Sequence, residues 1–234
     1  MDTGRKAIKA LAREAALLPQ EELLEAKKGQ AELTIGIPAE TSLQEKRVAL
    51  VPEAVALLAA HGHQVLVETQ AGANAQFSDN DYSEAGARIV YDKSQVFQAG
   101  IVLKVEPPSL EEVALMGMRQ TLISALQLSV QNEGLLEALS AKKTTAIAWD
   151  FVQNENGIQP LVRAMGEIAG NTAILIAGEL MASEQGMGNM LGGVSGVRPS
   201  EVVILGAGTV GEFAARSALG LGATVKVFDN SVHR

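Results

Sequence analysis

Apolar positions along the chain follow two alternating patterns, one at helical spacing and one in short continuous runs. Over residues 4–28, Ile8, Leu11, Ala15, Leu18, Leu23 and Leu24 recur near helical spacing among charged residues, with a break at Pro19. The pattern predicts an amphipathic helical arm, assigned to residues 1–31, packed on its own domain or on a neighbouring subunit. From Leu33 onward, short apolar runs alternate with helical stretches. Strands are predicted at Leu33–Ile37, Gln64–Glu68, Ile101–Val105, Thr121–Ser124 and Thr145–Ala148. Helices are predicted at Pro52–His61, Asp79–Ala85, Lys93–Gln98, Gln131–Ala141 and Gln159–Ala182. Strands separated by helices of this length pair in parallel, so the fold class is α/β.

Ten of the 23 glycines lie between Gly186 and Gly222. Such a density implies backbone that turns tightly or approaches a ligand. After Pro199 the apolar run Val202–Leu205 flows into Gly206-Ala207-Gly208-Thr209-Val210-Gly211, of the form GxGxxG. A helical pattern at Val210, Phe213, Ala214 and Ala218 follows, and then the strand Thr224–Phe228, which Asp229 ends 18 residues after Gly211. Glycine patterns of this kind also occur in turns that hold no ligand. Here a strand before, a helix after and an acid behind the second strand predict the start of a dinucleotide-binding Rossmann unit.

In such a unit Gly206 turns the chain off the strand, Gly208 lets backbone approach a pyrophosphate, and Gly211 lets helix and strand pack closely. The helix beginning near Thr209 and Val210 offers unpaired N–H groups and a positive dipole end to the diphosphate. Asp229 accepts from ribose hydroxyls and opposes a 2′-phosphate, so NAD is expected over NADP. A whole dinucleotide fold takes about six strands, and five residues follow Asp229. The second domain is therefore expected to be truncated, with the chain the N-terminal part of a longer protein.

Charge and composition narrow the partners. Nineteen Lys and Arg stand against 27 Asp and Glu, a net charge of −8, which disfavours nucleic acid and anionic membrane surfaces. The absence of cysteine excludes a disulfide scaffold and a Cys nucleophile and fits a reducing compartment. No apolar run approaches the roughly 18 residues of a membrane span. The basic residues Arg5, Lys6, Lys9 and Arg13 lead into no signal-peptide core. A cytoplasmic protein, with no membrane insertion in this chain, is expected.

Ile35-Gly-Ile-Pro-Ala-Glu-Thr41, continuing through Glu45-Lys46-Arg47-Val48-Ala49 to Pro52, resembles the N-terminal signature shared by alanine dehydrogenases and the NAD-binding subunit of proton-translocating transhydrogenase. Met190-Leu-Gly-Gly-Val-Ser-Gly196, Pro199 and the glycine loop resemble the second signature, so the resemblance covers residues 33–234. It implies a homo-oligomeric, two-domain oxidoreductase acting on a small 2-oxo or 2-amino acid. The substrate domain would be a flavodoxin-like, Rossmann-related α/β unit over residues 32–165. An inter-domain helix over 166–185 and a partial Rossmann NAD-binding domain over 186–234 would follow.

Alanine dehydrogenases use an Arg and a Lys to hold the carboxylate and carbonyl of pyruvate, a His as acid/base, and an Asp from the later part of the nucleotide domain. Arg47 matches the first and Lys104 the second, while the Asp falls beyond Arg234. A guanidinium offers a planar fork for a carboxylate. An ammonium open to a cleft attracts charge and polarises a carbonyl. The alternatives are a solvated Arg47 beside Glu45, and a Lys104 that snorkels to water from its strand end before Pro107 and Pro108.

The His position is held by Gln127, an amide that orients a substrate but does not titrate near neutral pH. His61 and His63 read as a solvated turn, and His233 lies in the tail. Thr121–Ser124 with Gln131 and Asn132 resembles the transhydrogenase version. Gln153–Gly157 and Leu161–Met165 depart from transhydrogenase, and the second glycine signature favours alanine dehydrogenase. The expectation is NAD-dependent deamination of alanine. Transhydrogenation, or nucleotide binding without turnover, are the alternatives.

Overall fold

A computed structural model describes residues 32–42, 44–131, 133–184 and 186–231. The arm predicted over residues 4–28 and His233 lie outside the described residues. The chain divides into two compact units between Ala148 and Trp149.

The first unit runs β1 (Thr34–Ile37), α1 (Pro52–Ala60), β2 (Gln64–Glu68), a 3-10 turn (Ala73–Ala75), α2 (Asp79–Glu84), β3 (Arg88–Val90) and α3 (Lys93–Phe97). It continues through β4 (Ile101–Leu103), α4 (Leu110–Leu115), β5 (Thr121–Ser124), α5 (Glu133–Ala141) and β6 (Thr145–Ala148). All strand pairs are parallel, in the order β3-β2-β1-β4-β5-β6. That is the doubly wound Rossmann order, in which the chain reverses direction across the sheet between β1 and β4.

Helices cover the inner strands, which read as nearly continuous apolar runs, whereas β6 at the end of the sheet is largely exposed. Ile37, Val65 and Val67 pack with Val55 of α1 and Tyr82 of α2. Val102 and Leu122 pack with Phe97 of α3, Val113 of α4, and Leu135 and Leu139 of α5. α3 crosses directly over β1. A Cβ on Gly36 would stand 2.1 Å from the Val96 carbonyl oxygen, so only glycine permits that approach.

Two short elements go beyond the sequence expectation. β3 has three residues and opens on Arg88, too short to show a period. α4 opens on a reciprocal capping box, in which the Ser109 hydroxyl accepts from Glu112 N and the Glu112 carboxylate accepts from Ser109 N. Ser-x-x-Glu is a capping-box pattern, but no helix was expected there.

The second unit holds a 3-10 turn (Trp149–Phe151), α6 (Pro160–Ala182), β7 (Glu201–Leu205), α7 (Thr209–Gly220) and β8 (Thr224–Phe228). β7 and β8 pair in parallel along their whole length. Ile174 of α6 joins Leu191, Ala214, Ala218 and Ala223 in its core, with Val202, Ile204 and Val225 of the sheet against it. On the other face of the strands Val203, Leu205 and Phe228 are 52%, 83% and 58% exposed.

α6 is one unbroken helix of 23 residues. Sequence placed one domain boundary at 165/166, inside this helix, and another at 185/186. The break between units instead falls before α6. Packing explains the difference, because α6 lies so close to α7 that a Cβ on Gly170 would meet the Val210 carbonyl oxygen at 2.4 Å.

Candidate functional site

In open α/β sheets, ligands bind beyond the carboxyl ends of the strands, where the strand order reverses. Here that point lies past β1 and β4, joined in register through Gly36 and Val102. The loop after β1 carries Glu40, Glu45 and Arg47, and Lys104 follows β4 directly. Arg47 and Lys104, distant in sequence, therefore both follow strands that end at the carboxyl end of the sheet's centre.

The Arg47 loop is held from three directions. Ala39 N donates to Glu68 Oε2 at 2.8 Å, and the Tyr82 hydroxyl donates to the Leu50 carbonyl at 2.7 Å. Inside the loop, Arg47 donates through its backbone N and its Nε to Glu45 Oε1, both at 2.8 Å, and through Nη2 to Oε2 at 2.6 Å. Glu45 is nearly buried while the Arg47 side chain is 55% exposed. The hydrogen bond from Arg47 holds the Glu45 carboxyl below its usual range against the opposing effect of burial. The same bond raises Arg47, and the charges of Glu106 and Glu40 add to it. The guanidinium is thus oriented by a buried carboxylate and half exposed, a geometry shared by the substrate-binding and the solvated-arginine readings.

Lys104 is placed differently from either sequence expectation. It neither faces an open cleft nor snorkels to water: its side chain is 1% exposed. Its ammonium lies 3.1 Å from Glu40 Oε2 and 3.4 Å from both oxygens of Glu112. A lysine so deep is tolerated because two carboxylates replace its hydration. Glu40 is in turn bound by Val105 N at 2.6 Å and Glu106 N at 3.4 Å. Lys93 donates to Glu112 Oε1 at 2.7 Å. Burial pushes Glu112 up, but the Lys93 hydrogen bond and the Lys104 charge outweigh it and hold the carboxyl below its usual range.

Gln127 stands in the turn after β5, one strand beyond β4, with φ +48 and an exposed side chain. Its carbonyl accepts from Val130 N at 2.9 Å. His61 Nδ1 lies 2.7 Å from the Leu57 carbonyl, and His63 Nδ1 3.5 Å from Leu33 N, both within the α1–β2 connection. Sequence reasoning missed Glu40 and Glu112 as partners of Lys104, although Glu40 lies in the quoted signature and Glu112 in the capping box. It also passed over Ser124, whose fully buried hydroxyl at the end of β5 has no hydrogen-bond partner. Continuing the β4–β5 register past Leu103 and Ile123 sets Ser124 beside Lys104.

The second unit forms the glycine loop. Gly206 has φ +106, a backbone conformation that side-chain-bearing residues rarely adopt, and its N donates to the Phe228 carbonyl at 2.7 Å. Gly208 is the N-cap of α7, so Thr209 and Val210 form its first turn. A Cβ on Gly211 would stand 1.9 Å from the Gly206 carbonyl oxygen. Asp229 accepts from Ala207 N at 2.6 Å and from Ser231 N at 2.7 Å. A cleft of about 730 Å³ borders Met165, Gly166, Gly206, Gly208 and Thr209. A second of about 680 Å³ borders Ala207, Gly211 and Asp229. The tight Gly206 turn, the helix start and the acid beside the loop fit a dinucleotide.

Two family models match the chain: alanine dehydrogenase/PNT, N-terminal domain, over residues 36–169, and alanine dehydrogenase/PNT, C-terminal domain, over 172–234. An alanine dehydrogenase of Mycolicibacterium smegmatis is 42% identical over 203 residues, which is 86% of this chain and 54% of that protein. A solved L-alanine dehydrogenase superposes with a TM-score of 0.80 at 42% identity, covering 86% of this chain and 56% of the other. A transhydrogenase from Sinorhizobium meliloti superposes with a TM-score of 0.72 at 25% identity, covering 86% and 57%. The chain spans about half the length of the curated relatives it matches.

Proposed function

Because the chain belongs to the alanine dehydrogenase/PNT family, we propose that it serves the reversible, NAD-dependent oxidative deamination of L-alanine to pyruvate. The observation that carries this reading is the convergence of Arg47 and Lys104 at the β1/β4 switch point, where both feel the charge of Glu40. Arg47 pairs with the substrate carboxylate, oriented by its bond to Glu45. Lys104, enclosed by Glu40 and Glu112, would act on the oxo or imino group through its charge and not by contact. Gln127 orients the substrate by hydrogen bonding from the turn after β5.

Family and fold imply a nicotinamide cofactor, and NAD is the form we infer. Gly206, Ala207, Gly208, Thr209, Val210 and Gly211 would hold its pyrophosphate and Asp229 its adenosine ribose. When bound, it would supply the acceptor for the hydride that leaves the substrate Cα. Apolar residues exposed along α6, among them Ile168, Leu175 and Leu180, support a homo-oligomer, which we assign to the cytoplasm. As segments of sequence we assign residues 32–165 to the substrate part, 166–185 to the connection and 186–234 to the nucleotide-binding part, with the whole of α6 packed in the second compact unit.

One observation favours a second reading, nucleotide binding without turnover: Gln127 does not titrate, and the Lys104 ammonium is sealed between carboxylates. Absorbance of NADH at pH 7–10 separates the two. Deamination requires NADH to accumulate with L-alanine and NAD, and to be consumed with pyruvate and ammonia. NADH binding with neither reaction would sink the dehydrogenase reading. Hydride exchange between two nucleotides, given an NADP-binding partner, would establish transhydrogenation instead.

A further inference from the structure

We propose that Glu106 is a specificity-determining residue that receives the ammonium of a 2-amino acid whose carboxylate meets Arg47, so that the switch point selects the zwitterion over the 2-oxo acid. The proposal rests on the reading of the switch point as the substrate site and extends it to the opposite end of the substrate. Glu106 lies three residues past the end of β4. Lys104 N donates to the Ile123 carbonyl and Ala125 N to the Val105 carbonyl, both at 3.0 Å, so the pairing of β4 with β5 runs on past both strand ends. It sets the Glu106 backbone level with Leu126, one residue before Gln127. On the other side Glu106 N donates to Glu40 Oε2 at 3.4 Å, which ties it to the loop after β1 that carries Arg47. Glu106 therefore stands where the order of strands reverses.

Four carboxylates gather here, and three are buried and engaged. Glu45 is bound by Arg47, Glu40 by Lys104 and Val105 N, and Glu112 by Lys93, Lys104 and Ser109 N. Glu106 differs from them. It is half-buried, and among the described residues its carboxylate accepts no hydrogen bond and forms no ion pair. Its charge reaches the guanidinium: behind the bond to Glu45, Glu106 raises Arg47 ahead of Glu40. Of the charged groups at this point, one cation and one anion are thus both accessible and close enough to feel each other. A 2-amino acid carries one charge of each sign on a single carbon and can satisfy both. A 2-oxo acid offers Glu106 no donor and brings an acceptor oxygen against a carboxylate, which counts against it.

Isothermal titration calorimetry of the whole chain at neutral pH, with L-alanine, pyruvate and propionate, separates the two ends of the ligand, because propionate carries the carboxylate alone. In the wild type L-alanine should bind most tightly of the three. Glu106→Gln keeps the shape of the side chain and removes its charge. It should weaken L-alanine about tenfold and leave propionate as tight as before or slightly tighter. Glu106→Lys should reverse the order, so that pyruvate and propionate bind more tightly than L-alanine. Circular dichroism should stay unchanged, and retained propionate binding shows that the carboxylate end of the site is intact.

An L-alanine affinity unchanged in Glu106→Gln would overturn the proposal, as would equal losses for L-alanine and propionate, or a wild type that binds neither. Should the variants fail to fold, the wild type still decides, since equal affinities for L-alanine and propionate overturn it. Absorbance of NADH keeps the proposed reaction apart from this test. Binding of L-alanine that depends on Glu106, without turnover, supports the ammonium site and removes the dehydrogenase reading. Turnover of L-alanine with an affinity independent of Glu106 does the reverse.

Discussion

Asp229, the acid that closes β8, accepts a hydrogen bond of 2.6 Å from the backbone N of Ala207 in the glycine loop. One carboxylate thereby ties the second strand to the loop and borders the cleft beside Gly211. Replacing NAD by NADP would bring a dianionic phosphate against this fixed negative charge. Asp229→Asn is expected to narrow the preference for NADH over NADPH, read as the ratio of Kd values in fluorescence titrations. Equal affinities for the two in the wild type would remove the role assigned to Asp229.

Arg47 is gripped by Glu45 through two side-chain nitrogens, a geometry that a single ammonium cannot reproduce. Arg47→Lys should weaken carboxylate recognition by about 1–3 kcal/mol. The measurement is the KM for pyruvate or, without turnover, the Kd for a small 2-oxo acid. Glu45→Gln should act in the same direction, because the guanidinium then loses its orienting charge. No change in either variant would exclude Arg47 from substrate binding.

The hydroxyl of Tyr82 secures Leu50 at the end of the Arg47 loop. Burial pushes its pKa up to about 12. The unfolded chain ionises its tyrosine near pH 10, so between about pH 10 and 12 protons leave the unfolded state first and folded stability falls. Thermal melts above pH 9 should show this decline, and Tyr82→Phe should reduce its slope. At neutral pH the same variant leaves the Leu50 carbonyl without this donor and should cost about 1–3 kcal/mol. A slope identical in wild type and variant would show that Tyr82 does not set the alkaline limit.

Gly211 faces backbone, not a movable side chain: the obstacle to a Cβ is the Gly206 carbonyl oxygen. Gly211→Ala must therefore push α7 away from the glycine turn. Overpacking of this kind costs about 1–3 kcal/mol. Urea unfolding should show that loss together with weaker binding of both NADH and NADPH. By contrast with Asp229→Asn, the NADH/NADPH ratio should stay as in wild type.

Strands and long helices were legible because each carries its own periodicity over several residues. β8 falls on the predicted Thr224–Phe228, and α6 begins and ends within a residue of its predicted span. The glycine loop was legible for a related reason, since tight turn, helix start and strand-end acid are neighbours in sequence. β3 was not, because three residues carry no period, and its place at the sheet edge comes from pairing with β2. The division at Ala148 was hidden as well. Composition shifts at the glycines, whereas compactness follows the packing of α6 on α7.

Lys104 marks the boundary between the two kinds of information. An ionisable residue ending an apolar strand was conspicuous by itself, since a buried ammonium demands compensation. Which groups compensate it depended on Glu40 after β1 and Glu112 on α4, brought together only when β1 and β4 pair and α4 packs over the sheet. Sequence alone therefore determined the parallel α/β architecture and the glycine loop with its strand-end acid, because local spacing encodes each of them. Tertiary structure decided that Lys104 is sealed while Arg47 stays half exposed, because burial arises between segments whose separation along the chain leaves no local pattern.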